Sequence, residues 1–151
     1  MLYLGRQYRI EILNSEATEI QLTDRFFIPS SRCTEREVYL RDWYIGRARE
    51  KITSRAEYHA QRLGVIINKV KIVDNRYRWG SCTTMNNVNF NWRLIKAPMF
   101  IIDYVIVHKL AHLIEANHTS VFWNIVRTQI PHVEKAKEWL KQNGQLLEQN
   151  V

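Results

Sequence analysis

The run Val107-His108-Lys109-Leu110-Ala111-His112-Leu113-Ile114-Glu115-Ala116-Asn117-His118 packs three of the chain's five histidines into one short stretch. His108 and His112 stand four residues apart, so a helix puts both imidazoles on one face, one turn apart. The residues before and between them, Ile101, Ile102, Val105, Ile106 and Leu110, make that helix apolar. Buried imidazoles need partners, and a shared metal ion supplies one. Zinc takes nitrogen ligands at about 2.0–2.1 Å in tetrahedral directions, and an i, i+4 pair can provide two. His118 follows six residues after His112. An unbroken helix would turn about 600° over that interval and point the third ring off the face. The helix must therefore stop between 115 and 118. Asn117 tolerates the left-handed conformation that ends helices, and Thr119 and Ser120 can cap the helix that follows. Three histidines around one zinc ion leave a fourth position open, which marks a catalytic rather than a structural site.

Outward from this stretch the pattern predicts an α+β domain: a small antiparallel or mixed sheet, a long helix, the histidine-bearing helix, and two C-terminal helices. Residues 3–13 read as a strand, with Tyr8, Ile10 and Ile12 alternating against Arg9 and Glu11. Asn14-Ser15-Glu16 reads as a turn, followed by short strands through Ile20–Leu22 and Arg25–Ile28, which Pro29-Ser30-Ser31 ends. Thr34 with Glu37 has capping-box spacing for a helix over 34–63. Val38, Trp43, Ile45, Ala48, Ile52, Ala56 and Leu63 recur along it at helical intervals, and Gly64 is its stop. Strands are expected over 65–73, 77–82 and 88–92, the last two joined by a turn at Asn86-Asn87. Pro98 opens the histidine-bearing helix, which runs to about Glu115. Helices near 120–129 and 132–143 follow, with Gly144 ending the last.

The chain has 151 residues, 46% hydrophobic and 25% charged, which suits one globular domain over 1–151. No apolar run approaches the length of a membrane span, and the start lacks the features of a secretory signal. Cys33 and Cys82 lie far apart, outside any CxxC pair, and read as reduced thiols of a cytoplasmic protein. The net charge of +7 favours acidic partners, nucleic acid among them. Those charges are scattered, however, over Arg32, Arg36, Arg41, Arg47, Arg49, Lys51 and Arg55, then Lys69, Lys71, Arg76 and Arg78, as on a solvated face.

Several separated segments together resemble the YgjP-type metal-dependent hydrolases, relatives of the SprT-like and other small zinc metallopeptidases (zincin-like, minigluzincin-type domains). They are Tyr3–Tyr8, Arg78-Trp79-Gly80-Ser81-Cys82, Asn89–Leu94, Ala97-Pro98, Ile102–Val105, the histidine run, Phe122-Trp123 and Lys137–Leu140. Members usually carry further β-rich sequence before the Tyr-Leu-Gly segment, so this chain resembles a shortened one. The resemblance implies an HExxH helix whose two histidines, with a third beyond the helix, hold one Zn²⁺; these map onto His108, His112 and His118. It also implies a peptide or protein substrate and a strand beside the site that pairs with it in extended form. Arg78, Trp79, Gly80, Ser81, Asn89 and Asn91 are the candidate substrate-binding residues. Trp79, Trp92 and Trp123 read otherwise as core packing. Glu115 and Asp103, with Glu138, are candidates to orient a ligand histidine from behind.

One position departs from that pattern. The glutamate after the first histidine takes a proton from the attacking water and later delivers it to the leaving amine. Lys109 stands there. An ammonium has three donors and no acceptor, and it repels a nearby cation. Three functions follow: a zinc metallopeptidase-type hydrolase impaired at Lys109, a non-catalytic zinc- or peptide-binding module, or a metal-dependent hydrolase of nucleotides or phosphoesters.

Overall fold

The computed structural model describes residues 1–14 and 18–149. The expected turn at Asn14-Ser15-Glu16 falls largely outside the described residues. The domain is α+β, as expected, but its strands divide among three small sheets. The expected strand over 3–13 is broken early. Leu4 and Gly5 take positive φ (49° and 81°) and turn β1 (Leu2–Tyr3) back on β2 (Arg6–Gln7). A Cβ on Gly5 would lie 2.7 Å from Pro98 Cγ, so only glycine lets this turn seat on the start of the histidine-bearing helix. The Leu4 and Gly5 amides donate to the Ile95 and Lys96 carbonyls there.

β3 (Ile10–Leu13) runs parallel to β5 (Phe26–Pro29), which also pairs antiparallel with β4 (Gln21–Leu22). A 3-10 turn over Ser30–Glu35 then leads into α1 (Arg36–Leu63). Thr34 therefore does not cap α1; it lies inside that turn. The buried stripe of α1 is Leu40, Tyr44, Ala48, Ile52, Ala56 and Ala60, a nearly strict four-residue repeat. Of the expected stripe only Ala48, Ile52 and Ala56 belong to it, and Val38 is exposed. Gly64 ends α1 at φ 71°, as its position predicts.

The third sheet has the order β6-β8-β7. β6 (Lys69–Val73) runs parallel to β8 (Asn87–Asn91), and β7 (Gly80–Cys82) runs antiparallel to it. β8 is thus interior, and β7 is an edge strand. Asn86, at φ 60°, makes the turn between them. Through a 3-10 turn over Trp92–Lys96 the chain enters α2 (Met99–Ala111), which is buried on almost every side. It packs against α1, α3 (Ser120–Gln129), α4 (Val133–Glu148), β7 and β8. A helix that is apolar all round belongs at the centre of a domain. Gly144 does not end α4, which continues to Glu148. Among the described residues no helix is long and apolar enough to cross a membrane.

Candidate metal centre

Helix α2 ends earlier than its sequence pattern suggests. Ala111 is its last residue and His112 its C-cap. Residues 112–114 continue as a turn, held by Leu113 and Ile114 amides on the Leu110 and Ala111 carbonyls. Asn117 is not left-handed, so the reversal is made by this turn rather than by one αL residue. Thr119 then caps α3, its side chain accepting from the Phe122 amide. The predicted break is therefore real, a few residues early, and it brings His118 back over the last turn of α2.

The result is a cluster in which one ligand atom from each of His108, His112 and His118 lies within 4.8 Å of the others. His112 Nδ1 sits 3.1 Å from the Ala116 carbonyl, which can only accept, so Nδ1 carries the proton. Its Nε2 is left as a lone pair facing His118 Nε2 at 3.0 Å. Two imidazole lone pairs cannot face each other at that distance without a proton or a cation between them. Ligands about 2.0–2.1 Å from a tetrahedral zinc ion stand about 3.3 Å apart, so the donor set fits such an ion. Burial pushes the His108 pKa down to about 3, with Lys109, His112, His118 and Lys137 adding to the shift. Burial, then His118 and Lys109, also lower His112, against the Ala116 carbonyl. Neutral imidazole is the form a metal ion requires.

Around the cluster stand residues that spacing alone did not single out. Phe122 is fully buried and its ring lies within 5.1 Å of all three imidazoles. Trp123 stacks on His118, and Lys137 Nζ lies 3.5 Å over the Trp123 ring. Trp123, which reads from the sequence as core packing, is half-buried and forms a wall of the histidine cluster. The Phe122-Trp123 pair, one turn into a helix capped just after the third histidine, was the available signal.

A cleft of about 550 Å³ opens beside His108. The run 77–82 and Tyr104, Val105, His108, Lys109 and Leu140 line it. Arg78, Trp79, Gly80 and Ser81 thus come together at the histidine cluster. Asn89 and Asn91 do not line the cleft. Asn89 stands on β8 opposite Ser81, its amide donating to Ser81 Oγ. Asn91 is fully buried; its amide donates to the Asn75 carbonyl and its oxygen accepts from Arg93. Asp103 also points away: it pairs with Arg55 at 2.8 Å and His59 at 3.0 Å on α1. Glu115 accepts from the Asn117 amide, and exposed Glu138 from Gln142. Neither carboxylate has a hydrogen bond to a histidine ring among the described residues.

Lys109 faces the cleft with its stem against β7. A Cβ on Gly80 would meet Lys109 Cγ at 3.1 Å and the Asn89 carbonyl at 3.0 Å, so glycine makes room for the lysine. Burial lowers the Lys109 pKa, Cys82 opposes that, and Arg78 adds to it. Cys33 and Cys82 are free thiols, with Cys82 in β7.

Solved structures that share the fold include two metallopeptidase zymogens. The metallopeptidase zymogen abylysin of Pyrococcus abyssi is 22% identical with a TM-score of 0.56, covering 66% of this chain and 98% of that one. The metallopeptidase zymogen jannalysin of Methanocaldococcus jannaschii is 20% identical with a TM-score of 0.53, covering 64% and 97%. No curated protein matches the sequence. Residues 1–143 match the family described as YgjP-like, metallopeptidase domain, and so the chain, with its histidine cluster and edge strand, belongs to the YgjP-like metallopeptidase family.

Proposed function

We propose that this metallopeptidase-like protein holds one zinc ion on His108, His112 and His118 and takes an extended peptide along β7, with hydrolysis strongly impaired by Lys109. The observation that carries the reading is the convergence of three imidazole nitrogens within 4.8 Å beside a cleft bordered by an edge strand. A bound divalent ion would polarise the scissile carbonyl and acidify a water. The chain's own residues supply the rest. His112 is fixed in its tautomer by the Ala116 carbonyl, which orients its Nε2. Phe122 and Trp123 pack against the imidazoles and wall one side of the cluster. β7 offers backbone donors and acceptors to an extended chain. Lys109, an ammonium without an acceptor, cannot take up a proton from water as a glutamate would.

The test is elemental analysis of protein purified without chelator, followed by turnover assays on an unstructured protein and on a nucleoside triphosphate. About one zinc per chain, with slow or no proteolysis, is the expected outcome. Absence of metal counts against the centre. Turnover of the triphosphate but not of the protein would replace the peptidase reading with a phosphoester hydrolase. Neither the family nor the fold supports a nucleic-acid partner.

A further inference from the structure

Among the described residues the charged groups of the cleft are positive. Arg78 and Lys109 line it, and among the described residues no aspartate or glutamate does. Some cations elsewhere are paired with acids, among them Arg25 with Glu11, Arg55 with Asp103, Arg93 with Asp74 and Arg127 with Glu134. Among the described residues no carboxylate forms an ion pair with Arg78 or Lys109. Asp103, Glu115 and Glu134 have partners of their own: Asp103 on α1, Glu115 the Asn117 amide, Glu134 Arg127. Lys109 is half-buried, its stem against Gly80, and it lines the cleft without a carboxylate partner. Such a group is costly unless something supplies the opposite charge.

We propose that Arg78 and Lys109 form a carboxylate-binding pair that makes this cleft selective for acidic peptides, with a glutamate or aspartate side chain seated between them. This rests on the reading of the cleft as a peptide site and names its substrate class. An arginine fork receives a carboxylate through two parallel N–H···O bonds, and a lysine adds a point charge. The occupant is a peptide rather than a free anion because the pair flanks edge strand β7, whose unpaired backbone groups suit an extended chain. The aromatic walls, Trp79 and Tyr104, suit the stem of a glutamate.

Fluorescence anisotropy on the zinc-loaded protein tests this, with one short labelled peptide in three forms carrying two central glutamates, glutamines or lysines. The glutamate form is expected to bind about tenfold or more tighter than the glutamine form, with the difference shrinking as salt rises. Arg78→Gln and Lys109→Met should each cut the glutamate-over-glutamine preference, read as the ratio of the two affinities in the same variant. Arg78 is exposed on a loop, so its variant tests the pair even if Lys109→Met misfolds. Equal binding of all three peptides, or a preference that survives both substitutions, overturns the acidic selectivity while leaving the peptide cleft standing. Binding of none overturns the peptide-site reading itself. Displacement of the glutamate peptide by a nucleoside triphosphate far better than by the same unlabelled peptide overturns the assignment of the occupant.

Discussion

His118 Nε2 lies 3.0 Å from His112 Nε2 although six residues and the end of a helix separate them. The contact exists because α2 stops at Ala111 and the following turn folds the chain back to a threonine-capped α3. Replacing either ring with alanine should therefore abolish tight zinc binding while the fold persists, because His118 is exposed and His112 only half-buried. Native protein should gain roughly 2.7 kcal/mol of stability at a zinc concentration one hundred times the Kd. His112→Ala and His118→Ala should show no zinc-dependent rise in Tm. A rise as large as the native one in both variants would mean that the metal, if any, sits elsewhere.

Lys109→Glu should restore what the lysine removes. A positioned general base is worth about 10²–10⁴ in rate. Zinc-loaded Lys109→Glu should cleave an unstructured protein faster than the native chain by a factor in that range. The same exchange reverses the charge beside Arg78, so its preference should move away from acidic substrates. A zinc-loaded variant as idle as the native protein would show that the lysine is not what limits activity.

Asp103 ties α2 to α1. Burial raises its pKa, but hydrogen bonds from His59 and Arg55 outweigh this, and the net shift is downward. A carboxylate depressed in the folded state adds stability that is present above its unfolded value of about 4 and lost as the pH falls through the folded value. Asp103→Asn should cost about 2–3 kcal/mol at pH 7, because it strands Arg55 and leaves His59 without its carboxylate. The gap between native and variant in denaturant titrations should narrow as pH drops below about 4. A gap that is constant from pH 7 to 3 would remove the ionic explanation.

Gly80 and Lys109 should be coupled. Alanine at 80 meets Lys109 Cγ at 3.1 Å and the Asn89 carbonyl at 3.0 Å, contacts that require a shift of a few tenths of an ångström. Gly80→Ala should destabilise by about 1–2 kcal/mol. In Lys109→Ala the cost should fall, though not to zero, because the Asn89 backbone stays. Strict additivity in the double-mutant cycle would show that the lysine stem does not occupy the space beside Gly80.

The sequence by itself determined the α+β order of elements, the long helix with its Gly64 stop, the apolar α2 and the spacing of its two histidines. These rest on local periodicity and on residues with a restricted backbone, which act over a few neighbours. Tertiary structure decided the rest. Residues 3–13 split because Gly5 must seat on Pro98. Lys109 and Gly80 meet, and Asn91 turns inward, only once β7, β8 and α2 are packed together. Asp103 looked like a partner for the ligand histidines from its place on their helix, yet the opposite face of α2 delivers it to Arg55 and His59. A helix fixes which residues share a face, but which neighbour that face meets depends on contacts between segments distant in the chain, and those carry no local signature.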